Sequence, residues 1–210
     1  MLSILIIALL SYVLGSIPWS IILSRIVKGI DIRNYGSGNA GATNVFRVLG
    51  WKLGIIVLIL DILKGFIATR YLSQIQIDPV PLHYQSLQIL AGAMAIAGHI
   101  WTIFAGFKGG KGVGAGAGML LGLNPVAALS CICIFIIVLL ITRIVSISSM
   151  IAAISFPLIL VLIKNCTNQL VTSPLIYFSA ILALLIIFTH RTNIKRLING
   201  KENRISLTKK

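Results

Sequence analysis

Three short polar segments in an otherwise apolar chain carry residues whose types and spacing could do chemistry. The first runs from Arg33 to Arg47 and is built of Gly36, Ser37, Gly38, Asn39, Gly41, Thr43 and Asn44, closed by Arg47. Small residues let backbone N–H groups come close to a ligand, hydroxyls and amides supply short-range hydrogen bonds, and a guanidinium grips phosphate through two parallel bonds. This is the composition of an anion cradle. Gly36-x-Gly38-x-x-Gly41 also matches the dinucleotide fingerprint formally, with Asp61 twenty residues on. The context fails, because the preceding element reads as a membrane helix and Asp61 lies in an apolar run.

The second segment, Phe107-Lys108-Gly109-Gly110-Lys111-Gly112-Val113, opens a short glycine-rich helix. Unpaired N–H groups and the positive end of a helix dipole there suit a phosphate, and Lys111 adds a point charge. It is not a Walker A loop: Ala105 replaces the first Gly, and Gly112 replaces the magnesium-binding hydroxyl. Neither a nucleoside triphosphate nor a metal is implied. Gly114, Gly118 and Gly122 continue at four-residue spacing, which predicts close helix packing.

The third segment is His190-Arg191-Thr192-Asn193-Ile194-Lys195-Arg196-Leu197, followed by Glu202. On a helix continuing from the preceding apolar run, His190, Asn193 and Leu197 share one face. Away from these segments, Asp61 and Lys64 stand three apart inside an apolar stretch, where ionisable groups are costly unless paired. A structural ion pair is expected. His99, beside Trp101, is placed to support a loop rather than to act directly. Cys131, Cys133 and Cys166 show no ligand spacing, so neither a disulfide framework nor a zinc site follows.

The elements that must position these groups are membrane helices. Of 210 residues, 58% are hydrophobic and 10% charged, and the mean hydropathy is +1.02, which no water-exposed fold tolerates. Apolar runs predict spans near 2–24, 52–72, 86–105, 112–123, 125–142, 145–163 and 172–189. The expected fold is thus all-α: a polytopic integral membrane bundle of seven transmembrane helices, one short and Gly-rich, forming a single domain over 1–210. Because 112–123 is too short to cross alone, a five-crossing version is the alternative. The first run lacks a basic flank and should remain as an anchor.

The net charge of +14, from 18 Lys and Arg against four acids, calls for an anionic partner. The basic residues punctuate apolar runs instead of forming one soluble face, so nucleic acid is not expected. They concentrate in loops 25–51, 106–111 and 190–210. With the N-terminus outside, these loops all face the cytoplasm, and the three polar segments share one side. Lys201, Arg204, Lys209 and Lys210 are expected to touch anionic lipid.

Taken together, the motifs resemble those of the bacterial acyl-phosphate:glycerol-3-phosphate acyltransferases, the PlsY family. The resemblance runs from Gly15-Ser16-Ile17-Pro18 through Ser37-Gly38-Asn39, Gly41-Ala42-Thr43-Asn44, Arg47, Asp61-Ile62-Leu63-Lys64-Gly65, Gly98-His99 and Lys108-Gly109-Gly110-Lys111-Gly112 to His190-Arg191, Asn193 and Glu202. It departs at Gly114-Ala115 and Trp101-Thr102. The resemblance implies an enzyme of the bacterial inner membrane that moves a fatty acyl group from acyl phosphate to the 1-hydroxyl of glycerol 3-phosphate, giving lysophosphatidic acid without a cofactor. It also implies roles. Ser37, Arg47, Lys111, His190 and Asn193 would be catalytic, and Gly38, Asn39, Thr43, Asn44, Gly109, Gly110 and Gly112 would bind substrate phosphate, the three last through backbone donors. His99, Asp61, Lys64, Arg196 and Glu202 would support them. No Ser/His/Asp set or His-x4-Asp pattern supplies a base, so a substrate phosphate would take the proton. A soluble enzyme that makes acyl phosphate is a candidate partner for the basic loops. The rival reading is a transporter or channel for a phosphorylated anion, which predicts polar groups along a path through the bilayer.

Overall fold

The computed structural model of the protein describes residues 1–167 and 171–205, and Lys209 and Lys210 lie outside them. Among the described residues there are ten α-helices and no strand. They form two compact units, Met1–Leu123 and a second from Asn124 onward.

The first unit holds α1 (Leu2–Ser16), α2 (Trp19–Lys28), α3 (Ala42–Leu49), α4 (Trp51–Arg70), α5 (Tyr84–Ile100) and α6 (Val113–Leu123). The span expected over 2–24 is two helices. Ile17 is extended (φ −61°, ψ 113°) ahead of Pro18, because proline disfavours helical backbone at the residue before it and brings no N–H of its own. α1 packs on α5 with backbones nearly touching: a Cβ on Gly15 would strike the Ala95 main chain, and one on Gly98 would strike Tyr12 and Ser16. Thr102 Oγ1 donates to the Ser16 carbonyl, and Tyr12 Oη donates to the Trp101 carbonyl at 2.7 Å, closing that corner.

α4 and α6 pack along the row Gly114, Gly118 and Gly122. Added Cβ atoms there would meet Asp61, the Ile62 carbonyl and Thr69 respectively, so α6 runs parallel to α4 and starts beside its middle. Val57, on α4, packs instead with Ile21, Ile32, Ala40 and Val45, while Ala68, Ala95, Ile96 and Met119 are also buried in this unit.

The second unit holds α7 (Pro125–Thr142), α8 (Val145–Cys166), α9 (Ser173–Thr189) and α10 (Arg191–Ile198). Asn124 caps α7 by accepting from the Ala127 N–H at 2.9 Å, with Pro125 opening the helix. The helix expected to continue through His190 bends by 58° between α9 and α10. Apolar residues end at Phe188, and the bend lets Arg191, Lys195 and Arg196 leave the direction of the apolar helix.

Among the described residues four segments are, by length and composition, sufficient to cross a membrane: Leu2–Lys28, Tyr84–Ala105, Pro125–Thr142 and Val145–Cys166, with the α9–α10 pair a fifth. The other two expected spans differ from these. α4 has 20 residues, about 30 Å, but contains Asp61 and Lys64. α6 has 11, about 16 Å, roughly half the hydrocarbon thickness.

Candidate active site

The first polar loop is folded by two clamps. Asp31 accepts from the Arg33 N–H (3.0 Å), Nε (3.0 Å) and Nη2 (2.8 Å) and from Arg25 Nη2 (3.1 Å). Hydrogen bonds from Arg33 hold its carboxyl well below the usual aspartate range; partial burial opposes them, and Arg25 adds to the lowering. Arg33 still has Nη1 to spare, which donates to the Ala105 carbonyl at 2.9 Å. The second clamp is Asn44, 1% exposed, whose Oδ1 accepts from the Ser37 N–H (2.8 Å) while Nδ2 donates to the carbonyls of Ile32 (3.0 Å) and Tyr35 (2.9 Å). Its amide is therefore spent on the loop, so the expected direct phosphate contact gives way to a shaping role.

Gly36 (φ +60°) and Gly38 (φ +73°) take the left-handed backbone that the turn requires, and a Cβ on Gly36 would collide with Asn44 Oδ1. Ser37, Asn39 and Thr43 are left half-buried and Gly38 exposed. Arg47 follows Thr43 by one turn on α3, so both stand on the same helix face.

The glycine loop docks on the end of α5. Gly109 N–H donates to the Ile100 carbonyl and Gly110 N–H to the His99 carbonyl, each at 3.0 Å. Both N–H groups, expected as donors to a substrate, are engaged with α5 in this structure. The last carbonyls of a helix lack intrahelical partners, and here the loop supplies them. Lys111 is half-buried, Gly112 turns through φ +87°, and α6 begins at the next residue. The two loops adjoin: a Cβ on Gly110 would come within 3.1 Å of the Ala40 carbonyl.

Behind them lies a buried ionic cluster. Lys64 Nζ is 2.9 Å from Asp61 Oδ1, as the expected pair requires, but the same oxygen lies 3.4 Å from His99 Nδ1. Lys64 Nζ also donates to the Ile17 carbonyl at 3.2 Å, at the break between α1 and α2. A small cavity opens beside the cluster, lined by Ser16, Ala40, Lys64, His99 and Gly110 among others. No group of three or more His, Cys, Asp or Glu able to hold a metal occurs among the described residues.

The third polar segment belongs to the second unit. His190 Nδ1 lies 2.7 Å from the Ile186 carbonyl, and the residue is 3% exposed. Glu202 Oε1 accepts from Asn193 Nδ2 (2.6 Å) and Ser146 Oγ (3.0 Å), while Oε2 pairs with Arg196 Nε (2.8 Å). Burial alone would raise the Glu202 carboxyl; hydrogen bonds from Arg196, Asn193 and Ser146 outweigh it and hold it below the usual glutamate range. Ile205 N–H donates to the Arg143 carbonyl at 2.8 Å, so the chain after α10 reaches back to the turn between α7 and α8.

A family profile described as glycerol-3-phosphate acyltransferase matches residues 5–200. The chain belongs to that family. Among curated glycerol-3-phosphate acyltransferases it is 46% identical to that of Pelodictyon phaeoclathratiforme, with all of both chains covered. It is 45% identical to that of Chlorobaculum tepidum at the same coverage. Two crystal structures of PlsY (YgiH), an integral membrane glycerol 3-phosphate acyltransferase, share the fold. The glycerol 3-phosphate form is 36% identical with TM-score 0.84, and the lysophosphatidic acid form is 35% identical with TM-score 0.81. Each comparison covers 97% of this chain and 96% of the other. As a glycerol-3-phosphate acyltransferase family member with this all-helical fold, the chain is a multi-pass membrane protein, and nothing favours the transporter alternative.

Sequence reasoning missed Asp31 and Ser146, and named Arg33 without seeing its role as a clamp. A signal existed for Asp31 and Arg33: Asp31 is the sole acid of its loop and has Arg25 and Arg33 on either side.

Proposed function

We propose that the chain transfers a fatty acyl group from acyl phosphate to the 1-hydroxyl of glycerol 3-phosphate, yielding lysophosphatidic acid and phosphate for phospholipid synthesis. Acyl transfer to glycerol 3-phosphate is the family's activity; the choice of donor is part of the proposal. The observation that carries the reading is the joining of two phosphate-suited loops, through Arg33 to Ala105 and through Gly110 to Ala40.

In this reading Ser37, Gly38, Asn39 and Thr43 hydrogen-bond phosphate oxygens, with Asn44 and the Gly109–Gly110 turn shaping the walls. Arg47 and Lys111 supply positive charge as the hydroxyl oxygen attacks the acyl carbon and the bond to phosphate oxygen breaks. Gly112 and the first turn of α6 add the positive end of a helix. Acyl phosphate has a good leaving group, so alignment and electrostatics suffice, and a substrate phosphate accepts the hydroxyl proton. No acyl-enzyme forms. His190, Asn193, Arg196 and Glu202 order the C-terminal segment.

The same proposal places the protein in the bacterial inner membrane with seven crossings, one domain, the N-terminus outside and the basic loops in the cytoplasm. There a soluble acyl-phosphate-producing enzyme could dock. Purified protein mixed with acyl phosphate and glycerol 3-phosphate should release phosphate in step with lysolipid. Arg47→Ala and Lys111→Ala should abolish this while the protein stays folded. Full activity in both variants, or phosphate released in a burst before glycerol 3-phosphate is added, would defeat the assignment.

A further inference from the structure

We infer that Asp61, Lys64 and His99 form one positioning unit, whose task is to set the Gly109–Gly110 turn and so the place of Lys111 in the site. The inference rests on the reading that Lys111 meets a substrate phosphate.

Stability does not explain the cluster. Side chains of Lys64 and Asp61 are 3% and 5% exposed, so both charges have left water. Replacing such a pair by apolar residues of similar size is often neutral or stabilising, and ionisable groups inside membrane helices mark function by default. α4 does not need the pair to find its neighbour either, since Gly65 and Gly118 already bring α4 and α6 into backbone contact. What the cluster adds is direction. Lys64 is tied to the Ile17 carbonyl and to Asp61, and Asp61 fixes one edge of the His99 ring.

His99 in turn bears on the loop in two ways. Its carbonyl accepts from Gly110 N–H, and the Nε2 side of its ring occupies the space where a Cβ on Gly110 would be. The ring's orientation therefore decides how closely residue 110 can seat, and Lys111 is the next residue. The chain of contacts runs from the break in the first span, across α4, to the phosphate-suited turn. A misplacement of about 1 Å in such a turn can cost on the order of a hundredfold in rate.

The test pairs a charge-neutral removal with a conservative rescue. The double variant Asp61→Leu/Lys64→Met should melt in detergent at the same temperature as the parent or higher. It should lose about a hundredfold in kcat/KM, including a raised KM for at least one phosphate-bearing substrate, which loss of folded enzyme alone would not produce. His99→Leu should lose activity similarly, whereas His99→Asn, which keeps a donor toward Asp61 but gives up the ring edge facing Gly110, should lose less than His99→Leu. Full activity in the double variant overturns the inference. So does a His99→Asn variant as inactive as His99→Leu, because the tie to Asp61 would then contribute nothing. If the double variant fails to fold, the two His99 variants decide alone. A parent protein without acyl transfer would defeat the functional reading instead, so the two failures are distinct.

Discussion

Arg33 spans two loops: while its Nε and Nη2 hold Asp31, its Nη1 donates to the Ala105 carbonyl at 2.9 Å. Only a planar fork with several fixed donors can serve both partners. Arg33→Lys should therefore keep the charge yet lower kcat/KM by about tenfold or more, since one ammonium cannot hold both loops in place. Steady-state kinetics beside a detergent melting curve would separate that from unfolding.

Asn44 is the second clamp. Asn44→Ala would strand the Ser37 N–H and take one of two donors from the Ile32 and Tyr35 carbonyls, which keep the N–H groups of Tyr35 and Gly38. An unsatisfied buried group costs about 1–3 kcal/mol, so a fall in melting temperature should accompany loss of activity. Asn44→Asp should do no better, because an oxygen would then face two carbonyls.

Gly110 and Gly106 offer a matched pair. Gly110→Ala would drive a methyl into the His99 ring and toward Ala40, whereas nothing lies within 4 Å of a Cβ on Gly106. Gly106→Ala should cost only its left-handed backbone (φ +63°), about 1 kcal/mol, with activity preserved. Gly110→Ala should lose most activity in a protein that still folds.

The acids outside the spans predict a pH dependence. Asp31 and Glu202 have carboxyls held below their ordinary values, so their contribution to stability is complete above about pH 4.3, the unfolded range. It disappears as pH falls through the lowered folded values. Glu202→Gln removes the charge that Arg196 pairs with, so this variant should be less stable at neutral pH and lose less on acidification. Melting temperature measured from pH 7 down to about pH 2 would check both.

The membrane class was legible because apolar runs of bilayer length have few other uses. Pro18 shows how far that signal reaches: hydropathy joins residues 2–24 into one stretch, while the proline ends the helix at Ser16. The Asp61–Lys64 pair was legible from its spacing, since three residues on a helix share a face. His99 joins the same carboxylate from another helix, a contact between residues far apart in the chain that local pattern cannot report. The glycines of 109–112 announced a tight turn but not its purpose; composition cannot tell amides that face a ligand from amides that cap α5.

α6 begins at the level of Asp61, about ten residues or 15 Å along α4 from Trp51. If α4 crosses the bilayer, the glycine turn lies at the bottom of a well near mid-membrane, not on a plateau at the headgroups. A greasy donor could then present its reactive end while its tail stays among lipid chains, and it is the water-soluble acceptor that must make the descent.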